Sequence, residues 1–493
     1  MFCLSALSLA YPALSSVLAA YAANQTPLGP NGLHLKRLPF SHLADGRESI
    51  DQVLRAVELA GEKVWNVGPS HIDVLLDAAS HHFSLAPFLA PHVANAGTVP
   101  LTSVDDLPIP DSDGHAEWPE PTWSSPANAT FHAVYHPLAE IADFMSDLAV
   151  ARPDLVTLVN LGHSGEGREM YAIQISSTPA GARGAMGARK AGFVISGAQH
   201  AREWIATSTA LYLAHSLVSD PTEEFSLSPW LEFFMNTTTV VCELKDFYVI
   251  PVPNPDGYVY TWEYDRLWYK NRQNIGPAER CTGIDMNRNW GHKWKAKSRL
   301  PSARVLANST AEGVDDDEDE DEATWEEAKR KPGRGRDADP CSTWFPGHRP
   351  FEAPEVNNIA NYITTLPALK AFVDLRSYGQ MVSTPFSWSC KKSPKDAEDQ
   401  MEAALGATNA IKQVHGTVFT TGSLCEQVYR ASGNVVDYMY AKAGIKFAYA
   451  VHLRDTGTYG FSLPAEWIKP VGEETANMVR FLAGFISRGK LHE

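Results

Sequence analysis

Ile195-Ser-Gly-Ala-Gln-His200-Ala-Arg202-Glu203-Trp204 joins an apolar run, Ala191 to Ile195, to a segment from Trp204 to Leu217 with helical apolar spacing. The run reads as a buried strand and the segment as a helix. His200 and Glu203 stand three residues apart at the turn between them, so an imidazole nitrogen and a carboxylate oxygen can converge on one tetrahedral metal ion. A bare His-x-x-Glu has a plainer reading, a surface histidine beside a helix-start glutamate. It takes its meaning from the rest of the chain.

Outward from that turn, strand-like and helix-like segments alternate. Residues 136–148 form an amphipathic helix pattern with an early proline, followed by strand-like 156–161, a glycine-rich turn at 162–167 and strand-like 170–175. Downstream the pattern predicts strands at 247–252, 371–375 and 445–453, and helices at 352–366, 396–414 and 465–486. Such alternation predicts an α/β fold, its sheet largely parallel at the centre and covered by helices on both faces. Before it, residues 40–91 read as a small mixed unit, with a helix pattern at 49–58 and strands at 64–67 and 72–76. Residues 23–39 read as a leader and 92–130 as a linker rich in Pro, Ser and Asp.

Composition narrows the class. The chain has 493 residues, 44% hydrophobic and 20% charged, which describes a soluble globular protein with more than one domain. A formal charge of −16 argues against nucleic acid as the main partner. The first 22 residues are apolar and small and end in Ala20-Tyr21-Ala22, as a signal peptide does, although no Lys or Arg supports its start. No later run approaches the ~18 apolar residues of a membrane span. Sequons at Asn24, Asn128, Asn236 and Asn308 agree with passage through a secretory lumen. The expectation is a secreted or vacuolar protein.

Residues 293–339 break the alternation. They hold eight consecutive acidic residues, Asp315 to Glu322, and a basic Lys329-Arg330-Lys331, and read as a solvated, disordered insertion bracketed by Cys281 and Cys341. With Cys3 lost with the signal, five cysteines remain, so at least one is unpaired or pairs between chains; Cys242 reads as a buried free thiol.

Several further segments accompany the His-x-x-Glu: Asn254-Pro-Asp-Gly257-Tyr258, Asp285-Met-Asn287-Arg288-Asn289-Trp290, Ser377-Tyr378-Gly379-Gln380, Val428-Tyr429-Arg-Ala-Ser-Gly433, and Leu453-Arg-Asp-Thr-Gly457-Thr-Tyr-Gly460-Phe. In this order and spacing the chain resembles the zinc metallocarboxypeptidases of the pancreatic type over roughly residues 131–490, and residues 40–91 resemble their prosegment. The resemblance implies a mixed eight-stranded sheet with helices on both faces, preceded by a small α+β prosegment. It places His200 and Glu203 on the first two zinc ligands, Arg202 on a subsite arginine, and Asn287 and Arg288 on the pair that grips a terminal carboxylate. Tyr429 falls on the tyrosine that closes over the substrate's last residue, Ser377 and Tyr378 on the substrate-lining pair, and Val436 where the terminal side chain is selected. It also implies disulfides Cys281–Cys341 and Cys390–Cys425.

Three departures redirect the functional expectation. The third zinc ligand's position holds Arg376, and a guanidinium cannot ligate zinc. The position of the catalytic glutamate holds His452, and that of the oxyanion arginine holds Tyr269. A lost base removes about 10²–10⁴ in rate, and a lost oxyanion donor roughly 10²–10³. The expected protein is therefore an inactive carboxypeptidase-like one with zinc weak or absent, whose remaining pocket binds peptide or protein C-termini. The plain expectation for Arg376 and His452 is drift at a dead site, paired with Glu203 or other carboxylates; the sharper one makes His452 a substitute ligand beside His200 and Glu203. The resemblance leans towards the inactive fungal members, which implies a role in cell-wall organisation. No Lys or Arg lies between Lys63 and Arg152, so a trypsin-like protease has no site there and the prosegment is expected to stay attached and shield the pocket. Two alternatives stand beside this: an active zinc exopeptidase for apolar C-termini that uses His452, and a scaffold acting through the acidic insertion.

Overall fold

The computed structural model describes residues 33–39, 57, 63–67, 71–77, 97–99, 129–176, 191–219, 227, 244–276, 281–295 and 339–488. The signal-like segment, the four sequon asparagines, Cys242 and nearly all of the acidic insertion lie outside them. The chain divides into two compact units, residues 1–108 and 109–493.

The first unit holds a four-stranded sheet: β1 (Leu33–Pro39), β2 (Lys63–Val67), β3 (His71–Asp77) and β4 (Gly97–Val99), in the order β2-β3-β1-β4. Two of these strands correct the reading of the sequence. β1 lies where a leader is expected and β4 inside the expected linker, and β1 pairs antiparallel with both β3 and β4. Arg37 on β1 makes a two-pronged ion pair, 2.7 and 2.8 Å, with the fully buried Asp73 carboxylate on β3. That long-range fork holds a strand whose own apolar alternation is too short to reveal it.

The second unit is built on an eight-stranded mixed sheet in the order β11-β10-β12-β9-β7-β8-β6-β5. Its strands are β5 (Val156–His163), β6 (Glu169–Ser176), β7 (Ala191–Ser196), β8 (Leu244–Ile250), β9 (Leu369–Arg376), β10 (Met381–Thr384), β11 (Thr420–Ser423) and β12 (Phe447–His452). The central four, β12, β9, β7 and β8, run parallel, while β10 against β12, β6 against β8 and β5 against β6 run antiparallel. β10 and β11 have four residues each, too few for a sequence pattern to show.

Alternation along the central strands separates two cores. Phe193, Ile195, Val373, Leu375 and Val451 face one side, under the helices Trp204–Val218, Ala397–His415 and Ile468–Arg488. Val194, Phe372, Ala448 and Ala450 face the other, with the helix Pro354–Thr365 and the short helix Val435–Ala441. Every residue of β7 is buried, as a central parallel strand covered on both faces requires. The helix that follows it, Trp204–Val218, is buried along its whole length. Gly197, at the exit of β7, passes so close to the next loop that a Cβ would lie 2.1 Å from the Pro251 carbonyl oxygen. The turn carrying His200 and Glu203 is thereby pressed onto the sheet.

The same buried helix carries an acid-sensitive contact. His132, in the turn entering this unit, sets its Nε2 3.0 Å from Nδ1 of His215. Burial first, then the neighbouring His215, His136 and Lys469, lower the pKa of His132 well below the usual imidazole value, and burial pushes His215 down to about 4. Both rings are neutral when folded and bind protons more readily when unfolded. Their contribution is therefore present above about pH 6.5 and lost as pH falls towards 4. Thermal melts from pH 7 to 4.5 are expected to show a steeper loss of Tm in the wild type than in His215→Leu; parallel curves would rule the pair out as the cause.

Candidate functional site

The site lies at the carboxyl ends of the parallel strands, where open α/β sheets bind ligands. β7 delivers His200 and Glu203 through its exit turn, β9 ends on Arg376, and β12 ends on His452, in register with Arg376. Asp285 caps the short turn Met286–Arg288, accepting from the Asn287 N–H at 3.0 Å.

Arg376 is the hub. Its Nε donates to Glu203 Oε2 at 3.0 Å, one terminal nitrogen donates to Glu203 Oε1 at 3.2 Å and to His200 Nδ1, and the other reaches Asp374 Oδ2 at 3.3 Å. The Ser377 N–H adds a donor to Glu203 Oε2 at 3.2 Å. On its far side His200 Nε2 lies 2.9 Å from Asp285 Oδ1. One tautomer satisfies both edges of the ring: Nε2–H donates to Asp285, and Nδ1 accepts from Arg376. The 2.9 Å approach of His200 Nδ1 to Glu203 Oε1 is then bridged by the guanidinium that both acceptors share.

The electrostatics follow this geometry. Burial alone would raise the Glu203 pKa, but Arg376 and then His200 outweigh it and hold the carboxylate well below the usual range. Burial likewise opposes ionisation of Asp285, and His200 and Arg288 reverse it. Asp374, for which burial prevails over Arg376 and Gln199, is pushed up to about 6. Gln199 donates to Asp374 at 2.8 Å and accepts from the Trp290 indole at 3.0 Å, which closes the network at its base.

At the remaining altered positions, the Tyr269 ring stacks on His200, with centroids 3.6 Å apart. The Arg202 guanidinium sits 4.8 Å from the Tyr269 ring and 4.1 Å from Phe461. The resemblance makes Arg202 a subsite residue; here it packs between two aromatic rings. Lys270 and Arg272 do not replace the missing oxyanion cation: Lys270 Nζ donates to the Pro340 carbonyl at 2.8 Å, and Arg272 lies over Tyr260 at 3.8 Å. His452 is pushed down to about 3, by burial and then by Arg376, and its Nδ1 is buried without a hydrogen-bond partner.

The carboxylate-gripping residues are assembled. Arg288 donates to Tyr429 Oη at 2.5 Å and to the Asn287 carbonyl at 2.9 Å, while Asn287 Oδ1 accepts from the Val435 N–H at 3.0 Å. Gly433, at φ +69°, runs against the backbone of Arg288, where a Cβ would meet its carbonyl oxygen at 2.2 Å. Tyr378 is buried edge-on against Phe461, and Val436 is fully buried. The two disulfides that the resemblance implies, Cys281–Cys341 and Cys390–Cys425, are formed, with Cα atoms 5.1 and 5.2 Å apart.

The profile of the zinc carboxypeptidase family matches residues 141–478. This chain belongs to that family. It is 30% identical over 471 residues to an inactive metallocarboxypeptidase ECM14 of Ajellomyces capsulatus (strain H143), covering 89% of this chain and 70% of the relative. A metallocarboxypeptidase A-like protein of Trichophyton verrucosum (strain HKI 0517) is 36% identical, covering 71% of this chain and 69% of that protein. Among solved structures, thrombin-activatable fibrinolysis inhibitor matches with a TM-score of 0.67 at 24% identity, over 92% of this chain and 99% of that one. Carboxypeptidase A of Helicoverpa armigera matches with a TM-score of 0.68 at 22% identity, over 93% and 98%. These two likenesses agree with the sheet described above.

The family implies zinc, and the residues present do not fit it. The donor atoms that would face a dication, Glu203 Oε1 and Oε2 and His200 Nδ1, are filled by N–H groups of a permanent cation. Among the described residues no three His, Cys, Asp or Glu side chains are grouped to hold a metal ion, so His452 does not complete a set with His200 and Glu203. Asp285, Asp374 and Gln199 are site residues to which the sequence reading gives no role. Asp285 had a visible signal, since it opens the segment that carries Asn287 and Arg288. Asp374 had a fainter one, two residues before Arg376 and so on the same face of the strand.

Proposed function

We propose that this chain is a non-catalytic carboxypeptidase-fold protein that binds peptide or protein C-termini. One observation carries the reading: Arg376, at the third-ligand position, donates to both Glu203 and His200. Hydrolysis on this fold needs a polarising cation open to substrate and a base. Arg376 has all three guanidinium nitrogens committed to protein acceptors, and Tyr269 offers an aromatic face where an oxyanion donor would stand. The ECM14 relatives, named as inactive, support the same reading.

Binding is supported by the assembled Arg288, Asn287 and Tyr429. Arg288 spends one N–H on Tyr429 and one on the Asn287 carbonyl, and a guanidinium has five to offer an incoming carboxylate. Calorimetry of residues 109–493 with C-terminal-Phe peptides is expected to show binding of the free acid and none of the amide. Arg288→Ala should weaken it by about 10–100-fold, the worth of a charged hydrogen bond. Equal heats from acid and amide would exclude carboxylate recognition, and release of Phe by the wild type would overturn the non-catalytic half.

Secretion or vacuolar delivery, a retained prosegment and a cell-wall role belong to the same proposal. The apolar N-terminus and the lack of Lys or Arg from 64 to 151 support the first two; the cell-wall role rests on the resemblance to inactive fungal members. Intact mass of the protein from a secreting host is expected to give an N-terminus near residue 23. A start between 120 and 135 would count against retention.

A further inference from the structure

Glu203 and His200 are buried, 2% and 1% exposed, and a buried carboxylate without a counter-charge is costly. In this chain the compensation is covalently attached. Arg376 forks onto both oxygens of Glu203 and donates to the one nitrogen of His200 that Asp285 leaves open. Asp285 fixes the ring from behind, as carboxylates do for metal-bound imidazoles. The third arm of the guanidinium is held by Asp374, itself held by Gln199. Both nitrogens of His200 and both oxygens of Glu203 are thus already engaged, and a dication would face a cation that cannot deprotonate.

We propose that Arg376 is a tethered cation that takes over the structural task of a metal, neutralising Glu203 and orienting His200, so that the fold is metal-independent and a single exchange, Arg376→His, opens a zinc site. The inference deepens the proposed function and rests on its reading of Arg376, but zinc content and turnover are separate readouts. A zinc-loaded chain that hydrolyses nothing would sink this inference alone; a zinc-free chain that hydrolyses peptides would sink the non-catalytic reading alone.

The test is elemental analysis of the full chain after dialysis against zinc and then metal-free buffer, with thermal melts in zinc and in EDTA. The wild type is expected to retain less than ~0.1 equivalent, with the same Tm in both buffers. Arg376→His is expected to retain about one equivalent and to melt at least about 3 °C higher in zinc than in EDTA. Arg376→Gln, which removes the cation without supplying an imidazole, should retain none. If Arg376→His folds only when zinc is present during refolding, the inference is supported. Zinc retained by the wild type, a wild-type Tm lowered by EDTA, or a folded Arg376→His that takes no zinc overturns it.

Discussion

Arg376→Met is expected to destabilise the chain by about 3–5 kcal/mol, the typical loss when one partner of a buried ion pair is removed. Methionine fills much of the volume of the arginine stem, so the loss reports charge and hydrogen bonds more than a cavity. Three acceptors lose a donor at once: Glu203, His200 and Asp374. Asp374, with its pKa already raised, can take up a proton at little cost; Glu203, whose ionisation Arg376 supports against burial, loses that support and has further to shift before it protonates. Arg376→Lys should lie between, because an ammonium keeps the charge but cannot fork onto two carboxylates. Urea denaturation of the three proteins measures this. A methionine variant within about 1 kcal/mol of the wild type would mean that the network adds little beyond its own desolvation cost.

How far the site can be read without coordinates depends on where each residue's partners lie. The helix Trp204–Val218 begins and ends where its apolar spacing predicts, because its burial and its local pattern agree. His200, Glu203, Asn287, Arg288 and Tyr429 are legible because each sits in a short segment whose spacing is itself informative. Arg376 is legible as a loss, a cation where a ligand belongs, and the reading that pairs it with Glu203 matches the hydrogen bonds it makes. Its three-way commitment is not legible. It depends on β9 lying beside β7 and on Asp374 projecting from the same face, which are facts of strand order rather than of local sequence. The same limit hides β1: Leu33 to Pro39 becomes a strand by pairing with residues some forty positions later. The four-residue strands β10 and β11 are too short to show a period. Tyr269 could be seen as a missing arginine, but only the structure stacks its ring on His200 and beneath Arg202.

The triple variant Arg376→His/His452→Glu/Tyr269→Arg is expected to release the terminal residue of a C-terminal-Phe peptide in a zinc-dependent manner, while the wild type does not and Arg376→His alone does so only weakly. The scaffold argues for recovery. His200 is already oriented by Asp285, Arg288 and Asn287 stand assembled beside it, and β12 brings position 452 into register with position 376. A base restored at 452 is worth about 10²–10⁴ in rate, and a cation restored at 269 roughly 10²–10³. Because such groups act together, the gains do not simply multiply; the triple variant should exceed Arg376→His alone by at least about 10³ in kcat/KM. Opposing this is Arg202, which packs on the Tyr269 ring and would face a second guanidinium in the variant. That repulsion is relieved if Arg202 swings towards the pocket, where the resemblance places it as a subsite residue. A folded triple variant that binds zinc but shows no turnover would place the defect in the packing around Arg202 and Phe461 rather than in the three exchanged side chains, and Tyr269→Arg combined with Phe461→Ala would then be the informative next variant.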